Sequence, residues 1–533
     1  MKGTGQCVTQ AWCKHAPDLV AWDPGTSSRL EPDPCVLYTA RQTMSQPTQK
    51  NIKAGGGREY ASFSAEVSTF AHLDGIAQAE LVKTGAASAN ELFEACIGRI
   101  QSLNPLLRAV VTVAPERPSV PSSGPLYGVP FLVKDAMPWP DLRWSIGSRL
   151  FRNNVMGAQT PYGKCLVEAG LLCAGKTATS EFGLLGSTET LLEGITHNPW
   201  DLSISAMGSS GGSAVAVAAG LVPIAHANDG GGSIRIPASA CGVFGFKPSR
   251  GRTLPAAFAS SDFLDMTSDH CITRSVRDSA LFLSLTEDTS SLTPVGFVRD
   301  PIRRPLRIGA WTRTMLGGEA EPSVKAAHEE VLNLLVSLGH HVEVVDAPVY
   351  EGASLSDAFF LVAGAAIAGV VDMVDHTRGE PVQHAELEPF TWALIETFRA
   401  RGPEALPFSR AAFAAAVRQY RSVTSAFDVI LTPTLATEPN PLGHLSPTLD
   451  REELLRRTGR AVGYTPIQNI AGCPAMSVPL CWSERGLPIG MHFAATHGAE
   501  ALLFGLAYQL EEARPWKDRW PPFSIPVLAG DSA

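Results

Sequence analysis

Charge is scarce in this chain of 533 residues, of which 18% are Asp, Glu, Lys or Arg; an average globular protein carries roughly 25%. A long disordered chain combines high charge with low apolar content, so that class is excluded. Basic residues number 43 and acidic ones 52, a formal charge of −9, and no basic tract occurs. A phosphate-gripping surface for nucleic acid is therefore not expected. No Cys-x-x-Cys is present, and the 10 cysteines show no zinc spacing with the histidines, so no metal site is expected. They are also too sparse for a disulfide scaffold, which points to free thiols in a reducing, cytoplasmic compartment. Long apolar runs are missing too. The longest, Phe359 to Val371, stops at Asp372, short of the ~18 residues a membrane span needs. The N-terminus has no continuous apolar stretch of the secretory kind, and no membrane partner is expected. Neither Gly-x-Gly-x-x-Gly nor a P-loop ending in Gly-Lys-Ser/Thr is found, so no nucleotide or other organic cofactor is expected.

What is present is apolar and loop-rich: 45% hydrophobic residues, 48 Gly and 40 Pro. Residues 1 to about 63 mix Pro, Gly, Ser, Thr and Gln without apolar periodicity and read as a loosely ordered leader. Met44 is a candidate start within it. Asp74 to Thr84 suits a helix stopped at Gly85, and Ser88 with Glu91 has the form of a capping box. Leu92, Phe93, Cys96, Ile97, Ile100 and Leu103 follow at helical spacing, with Pro105 as the expected stop. From Pro125 to Arg252, short apolar runs alternate with helical stretches and Gly-rich turns, an α/β texture. Leu306 to Trp311 predicts a strand, Ser323 a helix cap, and His341 to Val345 the next strand. Residues 350–426 read as Ala-rich helix, and we expect this stretch to face substrate. Strands are expected at Phe427–Leu431, Val478–Leu480 and Pro488–Ala494, and a last helix at Ala499–Ala513. Signals stay mixed throughout, so one catalytic domain over 64–525 is expected, with 526–533 as a tail.

Two Gly/Ser loops carry the chemical interest. Gly208-Ser209-Ser210-Gly211-Gly212-Ser213 opens onto a small-residue helix, and Gly230-Gly231-Gly232-Ser233 follows the strand-like segment Val222 to Asp229. Each alone fits a turn that lets a helix pack closely on a sheet. Each also fits nucleophilic catalysis, with a serine hydroxyl beside convergent backbone amides. A serine needs a base. Thirteen His are present, but neither loop is a Gly-x-Ser-x-Gly elbow. Lys134 closes the apolar run Val129 to Val133, where desolvation would leave a neutral amine. The competing reading is a strand-end lysine paired with Asp135.

Taken together, GVPFLVKD (128–135), GKTATSEFG (175–183), NPWD (198–201), the long Gly/Ser block at 208–252 and the closing blocks at 427–434 and 465–495 resemble the amidase signature family. The resemblance covers about residues 70–520. It implies a large mixed twisted sheet covered by helices on both faces. It implies a triad of nucleophile Ser233, bridging Ser209 and base Lys134, with a cis peptide at Gly208–Ser209. Backbone N–H groups of Gly230, Gly231, Gly232 and Ser233 would form the oxyanion hole. Ser210, Asp229 and Arg235 are supporting candidates, each with an alternative structural role. Cys241 and His226 read as packing residues. The implied activity is hydrolysis of a small-molecule amide (a non-peptide carboxamide, anilide or cyclic amide, with esters as relatives) through an acyl-serine, by a monomer or homodimer. The rival readings are a subunit of a tRNA-dependent transamidation assembly and a non-catalytic binding protein; the second would have lost Lys134 or a serine, and none is lost. The chain departs from the family at Gly230, where Thr or Ile is common, and at Ala178, where Asn is frequent. The first departure opens space beside the oxyanion site. The segment His226-Ala227-Asn228-Asp229 resembles the branch containing 6-aminohexanoate cyclic dimer hydrolase.

Overall fold

The computed structural model describes residues 51–53, 59–61, 68–257 and 264–530. Packing divides the chain into two units, Met1–Ser64 and Ala65–Ala533. In the first, Asn51–Lys53 pairs antiparallel with Glu59–Ala61; the rest of the expected leader lies outside the described residues.

The second unit is built on one sheet of eleven strands. In chain order these are β1 (Val110–Val113), β2 (Pro130–Lys134), β3 (Leu172–Thr177), β4 (Ile224–Asp229), β5 (Phe244–Lys247), β6 (Ser268–Thr273), β7 (Arg307–Ala310), β8 (His341–Val344), β9 (Val429–Pro433), β10 (Ala475–Trp482) and β11 (Pro488–Ala495). Their order across the sheet is β8-β7-β9-β11-β10-β5-β6-β4-β2-β3-β1. Strands β4, β2 and β3 run parallel, as do β8, β7 and β9, and the pairs between and beyond them are antiparallel. Every residue of β2 and β3 is buried. Side chains alternate sides along a strand, so the sheet is covered on both faces at these two strands.

The helices are α1 (Gly75–Thr84), α2 (Ala89–Leu107), α3 (Pro161–Glu168), α4 (Gly211–Ala218), α5 (Arg235–Cys241), α6 (Val276–Thr286), α7 (Pro322–Ser337), α8 (Gly352–Arg378), α9 (Pro389–Arg401), α10 (Ala405–Thr424), α11 (Arg451–Ala461), α12 (Pro466–Ala471), α13 (Glu500–Ala513) and α14 (Ile525–Ala529). Local chemistry accounts for several ends. The Asp74 side chain caps α1 at Ala77 N–H, and Gly85 ends it in the left-handed region. Ser88 and Glu91 form the reciprocal capping box of α2.

Three expectations change. Helix α2 runs through Pro105 to Leu107. In the last turn a proline forfeits one backbone hydrogen bond, and the burial of Leu103 and Leu107 outweighs that loss. Helix α7 is capped at Glu321 with Pro322 at its first position, so Ser323 lies inside the first turn; proline's fixed φ suits that place. Residues 525–529 are helical, with Ile525 and Leu528 buried, so the expected tail boundary falls inside packed structure.

A large apolar cluster lies on the β5–β7–β9–β10–β11 part of the sheet, under α7 and α13. The 27-residue α8 is long and apolar enough to cross a membrane by length and composition alone, although its longest apolar run falls short of a span. Here it packs against α9 and α10, which accounts for its apolar character. Helices α8, α9 and α10 all lie between β8 and β9 in the chain.

Candidate active site

Strands β2 and β4 are parallel neighbours, with Phe131 opposite Ile224 and Leu132 opposite Ala225. Carried three residues on, that register sets Lys134 level with Ala227, one rung short of Asn228. The carboxyl ends of both strands thus point the same way and deliver their last residues to one place, where α/β folds commonly site chemistry.

Lys134 is completely buried. Its Nζ lies 2.7 Å from Ser209 Oγ and 2.6 Å from Asn228 Oδ1. Burial drives its pKa down to about 7, against the opposing charges of Asp269 and Asp229. Asp135 is not its partner. That carboxylate meets the buried Lys176 Nζ at 3.1 Å and accepts from Ser145 Oγ at 2.5 Å, so the strand-end ion-pair reading does not hold. Lys134 is left as a buried amine in contact with a serine, an arrangement suited to a neutral base.

Ser209 sits just before α4, after a cis peptide at Gly208–Ser209. Thr188 Oγ1 holds this bend. It lies 2.9 Å from Met207 O and 3.2 Å from Ser209 O, and accepts from Gly211 N–H at 3.0 Å. Ser210 joins the two loops: its N–H donates to Ser233 O at 3.3 Å and its hydroxyl to Asn228 O at 3.2 Å. Ser233 is half-buried and lines the cleft described below, whereas Ser209 is 1% exposed behind it.

The Ser233 loop is held from beneath by Asp229 and Arg235. The guanidinium binds the carboxylate through Nε to Oδ2 and Nη2 to Oδ1, both at 2.8 Å, and both side chains are buried. Burial alone would push the Asp229 carboxyl up, but the Arg235 charge and its hydrogen bonds hold it well below the usual range. Asp229 also accepts from Gly232 N–H at 2.6 Å and from Ile234 N–H at 3.2 Å. From the closing segment, Asn469 donates to Asp229 O at 2.7 Å and Thr465 Oγ1 to Gly231 O at 2.7 Å.

These bonds change one expectation. The Gly232 amide is engaged by Asp229 and faces into the loop, so it is not open to an oxyanion. The N–H groups of Gly230, Gly231 and Ser233 meet no protein acceptor among the described residues. Gly232 has φ +128°, and a Cβ there would overlap Thr465 Oγ1 and Ile236. A side chain at this position would therefore break the loop.

His226 and Cys241 stay packing residues. His226 is buried, which lowers its pKa, and its Nε2 is 3.2 Å from Asp269 Oδ1. Burial raises the Cys241 thiol, and a buried apolar thiol is inert.

In front of Ser233 lies a cleft open to solvent. Gly183–Gly186 and Gly208 form one side of it. The α8 residues Leu355, Phe359, Phe360 and Ala363 form another, and the α11 residues Leu455, Thr458 and Gly459 a third. Among the described residues no charged side chain lines it. The Phe359 ring approaches to 3.0 Å of where a Cβ on Gly231 would stand. Of the 350–426 stretch, only α8 reaches the cleft; α9 and α10 pack behind it. The walls from α11 and from Gly183–Gly186 were not anticipated from sequence, nor were the roles of Asn228, Thr188 and Asn469. The motif blocks contain Asn228 and Asn469 but say nothing of what their side chains touch.

Residues 91–504 match the family model described as Amidase, and the chain belongs to that family. It is an amidase, a hydrolase acting on carbon–nitrogen bonds other than peptide bonds. Among particular proteins, it is 37% identical over 453 residues to the putative amidase AmiC of Mycobacterium tuberculosis, covering 83% of this chain and 95% of that one. A solved 6-aminohexanoate cyclic dimer hydrolase with bound substrate is 30% identical, with a TM-score of 0.77, covering 85% of this chain and 99% of its own. A bacterial aryl acylamidase structure is 26% identical, with a TM-score of 0.73, covering 86% and 98%.

Proposed function

We propose that this amidase cleaves uncharged carboxamides, anilides or cyclic amides with apolar flanks, through an acyl-Ser233 intermediate. The observation that carries the reading is the buried amine of Lys134 held 2.7 Å from Ser209 Oγ, with Ser209 joined through Ser210 to the Ser233 loop. In the forward step Ser233 Oγ bonds to the amide carbon. Its proton passes to Ser209, and the Ser209 proton passes to the Lys134 lone pair. The tetrahedral oxygen takes the freed electron pair and faces the N–H groups of Gly230, Gly231 and Ser233. Removing one such donor costs ~10²–10³ in rate. Collapse expels the amine, which takes the proton back through the same serine. Water then repeats the cycle on the ester and frees the acid.

The uncharged substrate follows from the cleft lining, because an ionised group brought against Leu355, Phe359, Phe360 and Ala363 would lose its hydration without a partner. Similar structures include one named an aryl acylamidase and one named a 6-aminohexanoate cyclic dimer hydrolase, which supports the anilide and cyclic amide classes. The seven described cysteines are all unpaired, which supports a reducing, cytoplasmic setting. The test is a panel of neutral anilides, cyclic amides, esters and glutamine, with intact-mass detection of the acyl adduct. Acylation of wild-type protein at Ser233, and loss of turnover in Ser233→Ala and Lys134→Ala, are expected. Labelling at another residue would overturn the mechanism, and a preference for glutamine the substrate class.

A further inference from the structure

Among the described residues the Lys134 amine has two hydrogen-bond partners, and one of them belongs to the proposed relay. The other is the side-chain oxygen of Asn228, at 2.6 Å. We propose that Asn228 is a positioning residue that fixes the direction of proton flow at Lys134, holding one N–H of the amine so that its lone pair faces Ser209. The inference rests on the triad reading above.

The argument is one of proton count. A neutral amine has two N–H bonds and one lone pair, while the carbonyl oxygen of an amide has no proton to give. Lys134 must therefore donate to Asn228 whether it is charged or neutral. Without that anchor the neutral amine can rotate and donate to Ser209 instead, and Ser209 Oγ would then meet a proton where it needs a base. With one N–H held, the Nζ–Ser209 contact of 2.7 Å is free to run as O–H to nitrogen. The Ser209 oxygen is then left to receive the Ser233 proton.

Asn228 is itself well placed for this. Its backbone pairs opposite Asp269 in the β4–β6 ladder, and its carbonyl accepts from Ser210 Oγ at 3.2 Å. One residue thus touches the base with its side chain and the bridging serine's neighbour with its main chain.

The choice of amide over carboxylate matters. The charged and titratable groups that face Lys134 are Asp229 and Asp269, which favour the ammonium, and His226. Asp229 is claimed by Arg235, and Asp269 lies against His226. Burial outweighs both carboxylates and leaves the amine with a pKa of about 7. A third carboxylate at Asn228 would lie in direct contact with Nζ and hold the proton on. An amide oxygen orients the amine without trapping its proton.

The experiment compares wild type, Asn228→Asp, Asn228→Ala and Lys134→Ala, using a neutral aryl anilide and, separately, a fluorophosphonate that labels the nucleophilic serine. In Asn228→Asp the acid limb of kcat/KM, and that of the labelling rate, should move alkaline by at least about one unit. That lowers the rate about fivefold or more at pH 7 and about tenfold or more below pH 6, with recovery at higher pH. In Asn228→Ala kcat should fall about 10–100-fold with KM within about twofold. A general packing defect would not give a loss that higher pH restores. An acid limb unmoved in the Asp variant, or an Ala variant with wild-type kcat, would overturn the proposal. Melting curves identify a variant that fails to fold, and the other then carries the result. Full activity in Lys134→Ala would instead sink the triad reading; an inactive Lys134→Ala beside an unshifted Asn228→Asp would sink the Asn228 proposal alone.

Discussion

Asp229→Asn puts the foundation of the Ser233 loop to a quantitative test. The carboxylate takes six bonds: two from the Arg235 guanidinium, three from the backbone N–H groups of Gly232, Ile234 and Arg235, and one from the Asn469 side chain. Asparagine keeps one acceptor oxygen and places an NH₂ where the other stood, so three of the six bonds are lost. The guanidinium then remains buried beside His492 and Asn469 with no anion. Breaking one partner of a buried pair costs about 3–5 kcal/mol. Urea unfolding should show a loss in that range, and kcat should fall at least about tenfold because the loop carrying Ser233 loses its brace. The double variant Asp229→Asn with Arg235→Met should be less damaged in stability than the single one, since both charges are gone. The sign with pH is also fixed. A carboxyl held below its unfolded value adds stability above the unfolded pKa of 3.8 and loses it as pH falls through the lower folded value. The gap between wild type and Asp229→Asn should therefore narrow only below about pH 4. A loss under about 1 kcal/mol, or a double variant as damaged as the sum of the two single changes, would refute the reasoning.

Three further outcomes are expected. The kcat/KM of wild type should fall about tenfold per pH unit below about pH 7, because Lys134, with its pKa of about 7, acts only when deprotonated; a flat profile from pH 5 to 8 would count against it as the base. Phe359→Ala removes the ring that stands against Gly231 and should shift the ratio of kcat/KM for bulky over small acyl groups upward by about tenfold, read with a series of anilides. Glu388→Gln concerns a buried carboxyl. Burial and the neighbouring Glu181 raise its pKa to about 8, so the stability it contributes is present below the unfolded value and lost as pH rises through about 8. The Gln variant should melt higher than wild type near pH 9 and no higher near pH 5.

The residues proposed for catalysis were named through a family resemblance, which is carried by motif blocks that are local in sequence. Read alone, Lys134 and each Gly/Ser loop also fitted a structural role. Strand and helix types were legible because apolar periodicity is a local signal. What was not legible is set by how a loop turns on itself and by contacts between distant segments. That Gly232 is engaged by Asp229 depends on how the loop folds back over three residues. That Asn469 binds Asp229 joins residues 240 apart. Asp135 beside Lys134 looked like an ion pair, but the two side chains follow different paths, and only the neighbouring β3 strand shows that Lys176 is the partner. Pro105 failed as a stop because propensity yields to burial when the last turn carries buried leucines.

The placement of α8, α9 and α10 in one uninterrupted stretch between β8 and β9 has a consequence for how such an enzyme diversifies. Lys134, Ser209, Asn228 and Ser233 all precede that stretch by a hundred residues or more, and no side chain proposed for the relay comes from it. The α8 wall of the cleft can therefore vary without any change to those residues, while the walls from Gly183–Gly186 and α11 stay in place. Exchange of residues 345–428 for a relative's segment should alter the preference among acyl groups while Ser233 is still acylated, and loss of acylation would show that wall and relay are not separable.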